Sequence, residues 1–167
     1  MISRILFATD LGLYSPYLMR QLVRLTSKMK ARVDIVHVIE PMGVFAESII
    51  NAYVPEKDRR YLRQHGLNDV KNKIKQQVEG TLRNDYHEIL SQIELGEVII
   101  DIGFPSEVII QKACALESDL ILLGSHGRSA FQGGAVGAVV SKVLGNSPIP
   151  VLIVPMINLG DVDRLNN

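Results

Sequence analysis

The 167-residue chain holds one cysteine, no tryptophan, five tyrosines and four phenylalanines, so aromatic residues make up only 5% of it. One cysteine, Cys114, excludes an intrachain disulfide and fits a reducing compartment. Its neighbours Ala113, Ala115 and Leu116 predict a small packed hydrophobe, not a nucleophile. Few aromatics point to an aliphatic α/β interior and away from an all-β sandwich. Net charge is missing as well. Eighteen basic residues balance eighteen acidic ones, and no overall field draws the chain to nucleic acid or anionic membranes. No apolar run reaches the roughly 18 residues that span a bilayer, and Met1-Ile-Ser-Arg-Ile-Leu-Phe7 shows no signal-peptide pattern. The expectation is a cytoplasmic protein with neither nucleic-acid nor membrane partners. Zinc-like ligand spacings and a GxSxG nucleophile elbow are absent too, so no metal site and no catalytic residue is assigned.

Hydrophobic residues account for 47% of the chain, which excludes disorder and suffices for one domain with a real core. Apolar runs alternate with amphipathic segments. Ile5-Leu-Phe-Ala8 reads as a short buried strand, followed by a helix from Pro16 to Lys30 with Leu18, Leu22 and Leu25 on one face and Ser15 as N-cap. Val33 to Ile39 is a β-prone second strand closed by Pro41. Met42 to Pro55 is apolar without a pattern, a loop or short helix covering something. Glu56 to Leu90 is mostly helical, with Tyr61, Leu67, Val70, Ile74 and Val78 at helical intervals. A third strand over Val98–Ile102 and a helix capped by Ser106 follow. A fourth strand over Leu120–Leu123, a helix over about Ala135–Leu144 and a last strand over Pro150–Pro155 complete the order. One domain is expected over residues 1–156, with a polar tail over 157–167.

Strand–helix alternation with continuous aliphatic strands predicts an α/β fold: an open, doubly wound, five-stranded parallel sheet with helices on both faces. Ligands on such sheets bind outside the carboxyl ends of the strands. Two segments there carry chemistry. Behind the fourth strand stands Gly124-Ser-His-Gly127, with Gly137 nine intervening residues later and a helix after it. Closely spaced glycines leading into a helix bring backbone N–H groups and a helix N-terminus to an anion. The spacing fits neither GxGxxG nor the P-loop. Behind the first strand stands Ala8-Thr9-Asp10, whose carboxylate suits a ribose diol or a metal–phosphate complex.

Six elements in order resemble the universal stress protein family, from Arg4 to Pro155. They are Ile5-Leu-Phe-Ala-Thr-Asp10, His37-Val38, Gly103-x-Pro105, Gly124-Ser-His-Gly-Arg-Ser129, the spacing to Gly137, and Pro150-Val-Leu-Ile-Val154. The resemblance implies strand order 3-2-1-4-5, ATP or AMP between the first and fourth strands, and homodimers paired through Val151–Val154. Carried over, Asp10 meets the ribose or adenine side and Val38 the adenine, with Ala8 and Thr9 shaping the turn. Gly124, Ser125, His126 and Gly127 border ribose and phosphates, Arg128 and Ser129 reach phosphate oxygens, and Gly137 starts the phosphate-binding helix. Mg²⁺ accompanies the phosphates through Asp10 or water. One position departs: nucleotide-binding members carry Ser or Thr after the third glycine, and here it is Ala138. A missing neutral hydrogen bond costs roughly 0.5–1.5 kcal/mol, which weakens such a site without abolishing it.

Plainer readings stand beside these. Asp10 caps the following turn, His126 is a solvated loop histidine, and His37 is a packed, hydrogen-bonded one. His65 and His87 lie on the surface, where Arg59, Arg60, Lys71, Lys73 and Lys75 form a solvated helix face. For the whole, a dimeric nucleotide-binding regulatory or stress-response protein is preferred, with Val44, Phe45, Ile49 and Ile50 covering a base or a partner. A slow ATPase or nucleotidyl-transfer enzyme, or a nucleotide-free adaptor, are the alternatives.

Overall fold

A computed structural model of the chain describes residues 1–12, 14–27, 29–41, 48, 51–61, 67–126 and 136–155, with 67, 68, 70 and 71 as backbone alone. Strands β1 (Arg4–Ala8), β2 (Arg32–Ile39), β3 (Glu94–Ile102), β4 (Leu120–Gly124) and β5 (Val151–Val154) form one parallel sheet in the order β3-β2-β1-β4-β5. This is the doubly wound order expected. The described helices are α1 (Ser15–Thr26), α2 (Glu56–Tyr61), α3 (Leu67–Asp85), α4 (His87–Leu90), α5 (Pro105–Ala115) and α6 (Ala138–Asn146).

Period-two alternation divides the core between the two faces of the sheet. Ile5 and Phe7 of β1 pack with Leu18, Leu22, Val78 and Leu82 of α1 and α3. Leu6 and Ala8 pack with Ile109, Ala113, Val140 and Val143 of α5 and α6 on the other face. Strand β1 is covered on both sides, with no solvent face to make polar, and runs apolar from Ile5 to Ala8.

Several boundaries move for identifiable reasons. Tyr14, not Ser15, is the N-cap of α1, because Ser15 is buried in the first turn with its hydroxyl 3.2 Å from that of Thr9. The helix ends at Thr26, short of Lys30, which has φ 53°. Helix α5 starts at Pro105 behind Phe104, and Ser106 is a buried first-turn residue instead of the cap; the fixed φ of proline suits the first helical position. Helix α6 begins only at Ala138, since Gly137 has extended backbone and donates its N–H to the Ser125 carbonyl at 2.8 Å. Strand β3 begins at Glu94, four residues before the predicted Val98, and its pairing with β2 shifts between Val33 and Ile35.

Cys114 is exposed, contrary to expectation. Val108, Ile109 and Ala113 face the core from α5, and the next residue along a helix turns about 100° away from Ala113. Tyr61 is likewise exposed, while Ile74 and Val78 do face the core. The segment predicted as mostly helical from Glu56 is helical over α2, α3 and α4, interrupted at Tyr86, with 62–66 outside the described residues. His65, the tail over 157–167 and most of Met42–Pro55 lie outside the described residues, including Val44, Phe45, Ile49 and Ile50; Ser48 and residues 51–53 are helical.

The end of α5 makes a simple stability prediction. Glu117 N–H bonds the Cys114 carbonyl at 3.0 Å and Ser118 N–H bonds the Ala113 carbonyl at 2.9 Å, while Glu117 itself sits at φ 52°. This is the paired-bond helix stop that glycine fills best. Glu117→Gly is expected to raise unfolding free energy in urea by about 1 kcal/mol; a lower midpoint would refute that reading of the turn.

Candidate functional site

Strand order reverses between β1 and β4, and a cleft of about 960 Å³ opens at their carboxyl ends. Its floor is Ala8, Leu123 and Gly124, and one wall is the end of β2 from Val36 to Ile39. On one side stands the turn after β1, with Thr9, Asp10 and Leu11; opposite it stand Gly137 and the first residues of α6, Ala138, Val139 and Val140.

The α6 side is built for an anion. Ser125 N–H bonds the Val154 carbonyl at 2.8 Å, continuing the β4–β5 ladder past the strand end, and the Ser125 carbonyl accepts from Gly137 N–H. Gly137 is favoured there by close approach, not by backbone conformation. Its φ is −65°, but a Cβ would lie 3.3 Å from the Ser125 carbonyl oxygen and 3.5 Å from His126 Cα. The first intrahelical bond runs from Ser141 N–H to the Gly137 carbonyl. The N–H groups of Ala138, Val139 and Val140 therefore have no acceptor within the helix, and they open on the cleft with the positive end of its dipole.

The β1 side carries the carboxylate. Asp10 is half-buried, and its Oδ1 accepts from Gly12 N–H at 2.9 Å. Thr9 N–H bonds the Val36 carbonyl at 3.0 Å and the Thr9 hydroxyl accepts from Leu11 N–H at 3.1 Å. His37 Nδ1 lies 3.0 Å from the Thr9 carbonyl oxygen. Across the cleft the Ser125 hydroxyl and His126 Nδ1 are 3.0 Å apart. Among the described lining residues the ionisable side chains are Asp10, His37, Glu40 and His126, with no lysine or arginine. An anionic ligand would therefore meet main-chain donors on this part of the wall. No group of three or more His, Cys, Asp or Glu is placed to hold a metal among the described residues.

Of the residues singled out from the sequence, Ala8, Thr9, Asp10, Val38, Gly124, His126, Gly137 and Ala138 line this one cleft. Ser125 is buried and does not line it. Gly127, Arg128 and Ser129 lie outside the described residues. His37, read as a packed histidine, is hydrogen-bonded and also lines the cleft. Sequence reasoning missed Pro105, Ile109 and the α3 face of Gln77 and Thr81. The helical spacing of Ile74 and Val78 was visible, but nothing in it says which crevice that helix covers.

The profile of the universal stress protein family matches residues 1–155. The chain belongs to this family. Universal stress protein MJ0577 of Methanocaldococcus jannaschii is 24% identical over 154 residues, covering 92% of this chain and 95% of its own. Universal stress protein YxiE of Bacillus subtilis is 28% identical over 155 residues, covering 92% and 99%. The solved structure of MJ0577 superposes with a TM-score of 0.71 over 95% of this chain and 99% of that one. Two more distant members with the same fold were solved with ligands: a universal stress protein in complex with cAMP (17% identity, TM-score 0.54, 92% and 97% covered) and one from Archaeoglobus fulgidus in complex with dAMP (17%, 0.53, 92% and 98%). No helix is long and apolar enough to cross a membrane among the described residues.

Proposed function

We propose that the chain is one family domain over residues 1–156 that binds an adenine nucleotide, ATP or AMP, and acts as a dimeric regulatory or stress-response protein in the cytoplasm. The observation that carries this is the pairing, across one cleft, of the Asp10 turn with the N-terminus of α6 behind Gly137. The main-chain donors of α6 meet phosphate, Asp10 takes ribose hydroxyls or a phosphate-bound Mg²⁺, and the Val38 wall meets the base. Gly127, Arg128 and Ser129, outside the described residues, are the sequence's further candidates for phosphate contacts. Family members whose structures hold cAMP and dAMP support the choice of an adenine ligand.

Binding is preferred to turnover. Ala138 lines the phosphate side without the hydroxyl that nucleotide-binding relatives carry at this position. The dimer is inferred from β5, an aliphatic strand at the sheet edge that pairs on one side with β4.

Mass spectrometry of ligand released by denaturing the purified protein should find an adenine nucleotide, and light scattering at micromolar concentration should give twice the chain mass. Asp10→Ala should weaken AMP and ATP binding about tenfold or more. Absence of a bound nucleotide together with no affinity below millimolar would leave only the adaptor reading. Robust ATP turnover lost in Asp10→Ala would favour the enzyme.

A further inference from the structure

We propose that His37 is a positioning residue for the nucleotide: acting through the Thr9 carbonyl, it holds the turn that presents Asp10. This rests on the adenine-nucleotide reading above. The Thr9 carbonyl oxygen can only accept, so His37 Nδ1, 3.0 Å away, carries the proton and donates. That bond ties the exit of β1 to a side chain of β2 in the wall beside it.

The turn needs such a tie. Ladder pairing with β2 lasts one residue beyond β1, through Thr9 N–H and the Val36 carbonyl. Two residues later Leu11 sits at φ 54°, in the left-handed region that side chains other than glycine, asparagine and aspartate rarely adopt. Such a conformation persists only where its surroundings over-determine it. Here the Thr9 hydroxyl accepts from Leu11 N–H, and Asp10 Oδ1 accepts from Gly12 N–H. A Cβ on Gly12 would come within 3.0 Å of that same carboxylate oxygen, so glycine allows the close approach. These two contacts are local to the turn and move with it. The contact of the Thr9 hydroxyl with Ser15 of α1 holds a side chain, not the peptide plane. The imidazole is different, because it fixes the peptide plane between Thr9 and Asp10 relative to the sheet. The direction in which Asp10 leaves the backbone follows from that plane. Without the imidazole donor the turn keeps its internal bonds but loses its angle to the cleft.

Calorimetric titration with AMP tests this in a double-mutant cycle. His37→Phe keeps a ring but removes both nitrogens, and should weaken AMP about tenfold. His37→Asn places an amide nitrogen where Nδ1 stands and should restore affinity to within about twofold of wild type. In an Asp10→Ala background, His37→Phe should add less than about a further twofold. His37→Asn as weak as His37→Phe would overturn the proposal. So would a full repeat of the loss in the Asp10→Ala background, which would mean that His37 touches the nucleotide itself. If His37→Phe does not fold, as judged by its thermal midpoint, His37→Ala takes its place in the same cycle. A wild-type protein that binds neither AMP nor ATP would instead sink the functional reading, before any variant is compared.

Discussion

Asp34→Ala is expected to destabilise the protein by about 3–5 kcal/mol, the range for breaking a buried ion pair from one side. Asp34 is fully buried in β2. One carboxylate oxygen lies 2.6 Å from Arg4 Nε of β1; the other accepts from Glu97 N–H of β3 at 2.7 Å, with Arg32 Nε 3.5 Å away. Three neighbouring strands thus converge on one carboxylate. The shift in β3 pairing makes this possible, because it points the Glu97 N–H at Asp34, and a Cβ on Gly96 would collide with the carboxylate and with Arg32. Alanine would leave a void, an unanswered main-chain donor and two arginines without their partner.

The same cluster sets an acid limb to stability. Burial alone would raise the Asp34 pKa, but the hydrogen bonds from Arg4 and Glu97 N–H and the charges of Arg4 and Arg32 outweigh it, and the net shift is downward. A carboxyl depressed in the folded state contributes stability that is complete above its unfolded value, about 4, and is lost as pH falls through the folded value. Asp119 shifts the same way, its carboxylate accepting from Ser3 N–H, the Ser3 hydroxyl and Arg4 N–H. Urea unfolding should therefore show a gap between wild type and Asp34→Ala that is constant near neutrality and narrows below about pH 4. A gap under about 1 kcal/mol at pH 7 would mean that the cluster merely offsets its own desolvation.

Gly137→Val should have the largest effect on ligand binding, weakening adenine nucleotide about a hundredfold, while Gly137→Ala should cost about fivefold. The alanine Cβ lands 3.3 Å from the Ser125 carbonyl oxygen, which a shift of a few tenths of an ångström relieves. Valine adds two methyl groups against the same backbone and pushes the start of α6 away from β4. The main-chain donors at Ala138, Val139 and Val140 then no longer converge on the cleft. Equal affinities for wild type and Gly137→Val would show that the nucleotide does not use the α6 N-terminus. A circular dichroism spectrum unchanged from wild type would confirm that the sheet persists.

Much of this architecture was legible because it is local. Parallel strands covered on both faces leave continuous aliphatic runs, and Ile5–Ala8 and Leu120–Leu123 are such runs. The glycines at 124 and 137 marked the cradle by their spacing, and at Gly137 the structure shows one physical reason, since a Cβ would lie 3.3 Å from the Ser125 carbonyl oxygen. What misled were positions settled by contacts outside their own helix or strand. Ser15 has the chemistry of a cap but is drawn to Thr9, and Cys114 has apolar neighbours in sequence but points away from the core. The start of β3 was missed because the residues that recruit Glu94–Glu97 into the sheet lie in β2, some sixty positions earlier.

By itself, then, the sequence determined the order of strands and helices, the family, and the two turns that bear ligand chemistry, since periodicity and glycine spacing are properties of short segments. Only the tertiary structure decided that these turns face each other, that α3 supplies part of the cleft wall, and that His37 bonds the Thr9 carbonyl. It also decided that Asp34 is the buried centre of a three-strand cluster. The physical reason is the same in each case. A hydrogen bond or ion pair across strands depends on register and burial, and those are set by the packing of the whole sheet.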